Sequence, residues 1–329
     1  MIVQLVIASL ISLAVTAVVG YFLIPALRRL KAGQSIREDG PVWHSNKQGT
    51  PIMGGLMFIS GITVACLTIG FAAVRDGDVR HLYILVFALI FAAIGFFDDY
   101  EKLRKKQNLG LKARHKFVLQ AVVALAFVIL MRVTGNLNPS LYIPFVNVTW
   151  NIPEPLYYIF AIFVVVGTVN SVNITDGVDG LATGVTIPVA VWFVIIAAMW
   201  SITSVGIFAA ALAFGLVGFL FFNFHPAKVF MGDTGSLFLG GAVCAMAFAM
   251  DMPLILIPLG IVYFVETLSD LIQIAYFKLT KGKRVFKMAP IHHHFEMIGW
   301  SEYKLFSVFT AVSVVFAVIS FFGVAYRYE

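Results

Sequence analysis

Charge is what this sequence has least of. Only 12% of its 329 residues are Asp, Glu, Lys or Arg, against about 25% in soluble domains. By contrast 60% are hydrophobic, and the mean hydropathy is +0.93. That balance excludes an ordinary soluble domain. Cysteine is almost absent too: Cys66 and Cys244 both lie inside apolar stretches, which excludes a disulfide framework and a Cys-rich zinc site and reads as two small reduced core residues. Internal repeats, low-complexity stretches and the basic n-region of a signal peptide are missing as well. The net charge of +6 is read as membrane topology and attraction to anionic headgroups, not as nucleic-acid binding.

What is present is a series of long apolar runs. They fall at approximately 2–27, 52–73, 81–97, 117–135, 156–175, 182–200, 205–223, 234–250, 253–277 and 304–325. Runs of about 20 residues match the hydrocarbon thickness for helices and are too long and uniform for barrel strands. The first is too long for a signal-peptide core and ends in Arg28-Arg29, so it reads as a retained span. The pattern predicts an all-α integral membrane protein of about ten transmembrane helices, organised as a single polytopic domain over 1–329. The loops after alternate spans, with their flanks, hold 19 of the 23 Lys and Arg residues. The positive-inside rule puts those five loops (about 28–51, 98–116, 176–181, 224–233 and 278–303) in the cytoplasm and both termini outside. In the outer loop 136–155, Leu141 to Trp150 mixes β-branched and aromatic residues with polar breaks, which predicts a small hairpin.

Carboxylates bordering hydrocarbon are costly, about 2.5–3.5 kcal/mol each at a helix centre, and mark function. Four such clusters fall on the predicted cytoplasmic side: Asp98-Asp99, Asp176-Gly-Val-Asp179, Asp233 in Met-Gly-Asp-Thr-Gly, and His292-His-His-Phe-Glu296. Adjacent Asp98 and Asp99 repel unless a cation or shared proton relieves them. They read either as a helix end paired with Lys102 or as a metal ligand plus a base, with Lys102, Arg114 and Lys116 binding phosphate. Asn170, Asn173, Asp176 and Asp179 recur every third residue, which on a helix keeps them near one face. Asp233 and Thr234 precede an apolar run, where Asp233 reads as a helix cap or as a bridge from Mg²⁺ to a diphosphate, since that hard cation takes oxygen ligands. Phe230 on the same loop is placed to stack on a planar base. Three consecutive histidines point in different directions and make a poor single zinc site; hydrogen bonding to phosphate or sugar suits them better. An ion-coupled transporter would instead place acids near the midplane within paired repeats.

Together these residues strongly resemble the phospho-N-acetylmuramoyl-pentapeptide transferase family, one of the polyprenyl-phosphate N-acetylhexosamine-1-phosphate transferases. The resemblance covers almost the whole chain. It rests on Lys47-Gln-Gly-Thr-Pro-Ile-Met-Gly-Gly55, Gly95-Phe-Phe-Asp-Asp-Tyr100, Asn173-Ile-Thr-Asp-Gly-Val-Asp-Gly-Leu-Ala182, Phe230-Met-Gly-Asp-Thr-Gly-Ser236 and Pro290-Ile-His-His-His-Phe-Glu296. The His-rich run points to the muramoyl-pentapeptide branch.

The resemblance implies a Mg²⁺-dependent homodimer in the bacterial inner membrane, acting in cell-wall synthesis with its active site facing the cytoplasm. It would transfer phospho-MurNAc-pentapeptide from UDP-MurNAc-pentapeptide to undecaprenyl phosphate, giving lipid I and UMP. The alternative is a sister enzyme using UDP-GlcNAc. Uridine-containing nucleosides are expected inhibitors. By position, Asp233 would hold the metal, Asp98 or Asp99 would act on the lipid phosphate, and His292 would join the catalytic set. Lys47, Lys102, Lys116, Asn173, Asp176, Asp179, Asn223, Phe230, His293 and His294 would bind substrate. Two residues depart from the family pattern: Ile52 stands where Thr is expected, and Asp270 stands where an apolar residue is expected and needs a partner or an aqueous groove.

Overall fold

The computed structural model describes residues 1–30, 49–105, 107 and 110–327. Helices α1 (Ile2–Arg29), α2 (Gly55–Thr68), α3 (Gly70–Arg75), α4 (Arg80–Lys105) and α5 (Ala113–Val133) precede a hairpin of β1 (Ser140–Ile143) and β2 (Val148–Asn151). Helices α6 (Glu154–Thr175), α7 (Leu181–Met199), α8 (Thr203–Asn223) and α9 (Gly232–Ala249) follow. A 3-10 turn (Pro253–Ile255) then leads to α10 (Leu256–Leu259), α11 (Ile261–Leu279), α12 (Ile291–Met297) and α13 (Glu302–Phe322). Among the described residues nine helical stretches are long and apolar enough to cross a bilayer, with α2 and α3 counted as one; the bent α10–α11 unit makes a tenth. The protein is therefore an all-α, multi-span membrane protein, as the apolar runs predict. Helices satisfy every backbone group internally, which the bilayer requires.

At the bundle centre lies α9, in which every residue from Thr234 to Ala249 is buried. It is also the least hydropathic of the spans. Enclosure rather than lipid contact explains this, because a helix surrounded by other helices can use small residues for close approach. A Cβ on Gly240 would lie 2.6 Å from the Cα of Val169 on α6, and one on Gly95 of α4 would lie 2.1 Å from the carbonyl oxygen of Asp233.

The predicted hairpin is present, with Ser140 opposite Asn151 and Ile143 opposite Val148. It docks on the end of α13, where the Phe145 N–H donates to the Gly323 carbonyl at 2.9 Å. Leu5 near the start of α1 packs beside Gly206 at the start of α8, and the Arg327 guanidinium lies 5.7 Å from the Trp200 ring. Both chain ends thus sit at the hairpin end of the bundle.

The structure departs from the apolar runs in several places. Helix α4 continues past Phe97 to Lys105, and α5 begins at Ala113, so most of the expected loop 98–116 is helix. Polar helical turns protrude beyond the hydrocarbon, where hydropathy does not register them. The run 253–277 is not one straight helix but bends by 81° between Leu259 and Ile261. Within the expected loop 278–303, residues Ile291–Met297 form α12. The three-residue repeat of Asn and Asp also breaks, because α6 ends at Thr175 with Asp176 as its C-cap. Lys47 lies outside the described residues.

The α4–α9 approach yields a stability prediction. Gly95→Ala is expected to destabilise the bundle by about 1–3 kcal/mol through overpacking. Gly167→Ala, on an exposed face of α6 with nothing within 4 Å of the added methyl, should be neutral or stabilising. Thermal unfolding in detergent compares them, and equal melting temperatures would contradict the close approach.

Candidate active site

Because α4 stays helical to Lys105, Asp98, Asp99 and Lys102 share one helix, and Asp98 and Lys102 sit one turn apart. The Lys102 ammonium lies 2.6 Å from Asp98 Oδ2, and the Leu111 N–H donates to Asp98 Oδ1 at 2.9 Å. Asp99 does different work. Its Oδ1 accepts the N–H of Asp233 at 3.1 Å; its Oδ2 accepts the N–H of Thr234 at 2.9 Å and the Thr234 hydroxyl at 2.7 Å. No side chain of the α9 N-cap, Met231, fills this place. Asp99 on α4 therefore caps α9 from outside, satisfying amides left open in its first turn and meeting the positive end of its dipole. Sequence reasoning weighed capping for Asp233; the structure gives that role to Asp99.

Asp233, freed from capping, gathers cations. Lys116 Nζ lies 2.6 Å from Asp233 Oδ2, and Lys102 Nζ lies 3.1 Å from the same atom. The Asn173 amide donates to Asp233 Oδ1 at 3.0 Å and to Ser236 Oγ at 2.7 Å. Oxygens of Asp98, Asp99 and Asp233 all come within 4.8 Å of one another. Three carboxylates and two ammonium groups share a mostly buried pocket. Hard oxygen donors at this spacing fit a divalent cation that keeps some of its water, and the paired lysines are within reach of any phosphate bound there.

The remaining expected residues divide among neighbouring structures at the same end of the bundle. Asp179 does not join the three-carboxylate group. Its Oδ2 lies 2.9 Å from His225 Nδ1 and accepts the Ala227 N–H at 2.9 Å, while its own N–H donates to Glu302 Oε2 at 3.1 Å. Asp179, His225 and Glu302 form a second group whose ligand atoms lie within 4.8 Å. Beside it, His225, Glu296, Trp300, Ser301 and Glu302 line a cavity of about 430 Å³. Asn223 is buried and braced at both ends of its amide: it accepts the Thr183 hydroxyl at 2.8 Å and donates to the Val229 carbonyl at 3.1 Å. It holds the loop that carries Phe230. That loop is itself paired with the Thr50–Gly55 segment, since the Phe230 N–H donates to Pro51 O and the Gly54 N–H to Phe230 O, each at 2.8 Å.

The three histidines face three ways, as their consecutive placement predicts. His292 Nδ1 lies 2.9 Å from Glu266 Oε2, His293 Nδ1 lies 2.6 Å from Glu296 Oε2, and His294 Nδ1 accepts the Lys287 N–H at 3.1 Å. Sequence reasoning missed His225, Ser236, Glu266 and Glu302 as site neighbours. For Glu266 a signal existed: a carboxylate inside an apolar span. For the others, only the fold brings them to the site.

Comparison with known proteins gives the chain's family. The model of glycosyl transferase family 4 matches residues 81–251, a stretch that holds both acidic groups except Glu302. A phospho-N-acetylmuramoyl-pentapeptide-transferase of Heliobacterium modesticaldum is 49% identical over 311 residues, covering 94% of each chain. One of Staphylococcus aureus is 46% identical over 315 residues, covering 94% of this chain and 96% of its own. Relatives of that identity, covering nearly the whole chain, show that it belongs to the phospho-N-acetylmuramoyl-pentapeptide-transferase family within glycosyl transferase family 4.

Proposed function

We propose that this protein transfers phospho-MurNAc-pentapeptide from its UDP carrier to undecaprenyl phosphate, forming lipid I and UMP for peptidoglycan synthesis. The observation that carries this reading is the Asp98–Asp99–Asp233 group with Lys102 and Lys116, set at one end of a membrane bundle in a chain of this family. A donor from the cytosol and an acceptor anchored in lipid can meet only at such a boundary. This end is assigned to the cytoplasmic face of the bacterial inner membrane, with both termini on the other side. The unit is a single membrane domain acting as a homodimer, and uridine-containing nucleosides compete with the donor.

The chemistry is a single displacement. An oxygen of the lipid phosphate attacks the sugar-linked phosphorus of the donor, the P–O bond to UMP breaks, and UMP leaves with the electron pair. Asp233 would hold Mg²⁺, which would supply charge neutralisation and orientation at the diphosphate. Lys102 and Lys116 pair with phosphate oxygens of the substrates, offsetting the repulsion between two anions. Asn173 orients Asp233 through Oδ1. A lipid phosphate has a second pKa near 6 and is largely ionised at pH 7, so Asp98 has only a residual proton to accept. Asp99 maintains the position of Asp233 rather than reacting. Asp176 and Asp179 border the nucleotide-sugar pocket, Phe230 stacks on uracil with Asn223 bracing its loop, and Lys47, His292, His293 and His294 bind the phosphates and sugar.

Purified protein with UDP-MurNAc-pentapeptide, undecaprenyl phosphate and Mg²⁺ is expected to release UMP. UDP-GlcNAc should not replace the donor, and equal turnover of both would favour the sister reaction. Asp233→Ala should lower turnover by at least about 10²–10³-fold and blunt its Mg²⁺ response in protein that still folds. Asp99→Asn, by contrast, should destabilise the fold by about 1–3 kcal/mol, since it leaves a buried donor unmatched. Asp98→Asn should be most impaired near pH 6 and recover above about pH 7, as the acceptor phosphate loses its last proton unaided. A loss that does not change with pH would remove the base role.

A further inference from the structure

Beyond the acidic group, α11 buries a carboxylate that the reaction above does not use. Glu266 has no exposed surface. Its Oε2 lies 2.9 Å from His292 Nδ1, and its Oε1 has no partner. His292 is itself 1% exposed, and its Nε2 is likewise unpartnered. That atom points at the loop leaving α6: a Cβ on Gly177 would lie only 2.2 Å from it. Gly177 thus leaves bare backbone where the imidazole needs room, next to Asp176 and four residues from the Asn173 that holds Asp233.

The pair's charge decides what Nε2 can do. A buried ion without a counter-charge costs several kcal/mol, so a net-neutral dyad is strongly favoured. Two proton arrangements are neutral. In one, a carboxylate accepts from an imidazolium; in the other, a carboxylic acid donates to Nδ1 of a neutral ring. Both leave a hydrogen on Nε2, because an imidazole whose Nδ1 accepts carries its proton on the other nitrogen. A second carboxylate, Asp270, lies one helical turn further along α11, within electrostatic range of both Glu266 and His292.

We infer that Glu266 is a positioning residue, holding His292 with its Nε2–H turned to the Gly177 corner as a hydrogen-bond donor to an anionic oxygen of the donor substrate. This deepens the function proposed above and rests on it. The arrangement parallels that of metal-bound histidines, where a carboxylate on one ring nitrogen fixes what the other presents. It also accounts for an acidic side chain inside a span, where hydrocarbon would otherwise exclude it.

A double-mutant cycle in detergent-purified protein tests the assignment, with UMP release as the readout. His292→Asn is expected to lower kcat by about 10²-fold and Glu266→Gln by about 10-fold or more, with the KM for UDP-MurNAc-pentapeptide changed much less than kcat. The double variant should be no slower than His292→Asn alone, because Glu266 acts only through the ring. Losses that multiply in the double variant, or wild-type kcat in Glu266→Gln, would overturn the assignment. Melting temperatures are measured alongside. If Glu266→Gln does not fold, Glu266→Asp takes its place in the same cycle: it keeps the charge but withdraws the carboxylate, and should lower kcat only while His292 is present. Wild-type protein that releases no UMP would instead defeat the proposed function, so the two failures are distinguishable.

Discussion

The contact on which the site depends is the hydrogen bonding of Asp99 to the first turn of α9. One buried carboxylate accepts two amides and a hydroxyl, so its charge is matched by fixed donors and by the dipole of a helix that lies wholly inside the bundle. This locks α4 to α9 at one end, and the near-contact of Gly95 with the Asp233 carbonyl lets the two backbones approach closely enough for it. A consequence follows for Asp233. With the helix end already capped, its side chain is free to turn toward Lys102, Lys116 and Asn173. The adjacent aspartates of α4 therefore have unequal roles: Asp99 builds the floor of the site, and Asp98 faces into it.

Electrostatics then explains why these groups are buried at all. Carboxylates and ammonium groups this close would contribute little in open water, where exposed ion pairs are worth about 0–1 kcal/mol. At a membrane boundary with low-dielectric walls the same charges act more strongly on whatever enters. The three carboxylates could hold a divalent cation, and such a cation would make the pocket attractive to polyanionic phosphates. Lys102 and Lys116 hold the carboxylates together in the absence of ligand.

Much of this could be read from the sequence, for reasons that also set the limit. Ten apolar runs recorded the bundle, because bilayer thickness and backbone satisfaction leave few alternatives. Asp98, Asp99 and Asp233 stood out because acids bordering hydrocarbon are rare. The extension of α4 to Lys105 was not legible, since its last turns are polar and lie beyond the span. Nor was the 81° bend before Ile261: Gly260 marks it, but many glycines elsewhere do not bend a helix. The spacing of Asn170, Asn173, Asp176 and Asp179 misled in a specific way. Helical periodicity was applied across a helix end, so Asp179, expected near the face of Asn173, turns instead to His225 and Ala227. His225 and Glu302 had no local signal, because their meaning comes only from Asp179, which lies far from both in sequence.

That broken periodicity has a structural use. Between Asn173 and Asp179 the chain touches three different constellations: Asn173 reaches Asp233 on α9, Gly177 underlies His292 on α12, and Asp179 meets His225 beyond α8. A continued helix could not do this, since its side chains would stay on one face while the three partners lie on different elements. Ending α6 at Thr175 and turning through Gly177 and Gly180, the latter at a positive φ of 72°, lets a short segment address all three. Because each end of that segment is tied by hydrogen bonds, it holds its partners in fixed relation to one another. Positioning of that kind is what two mutually repelling phosphates require, since little of their barrier can be lowered by covalent means.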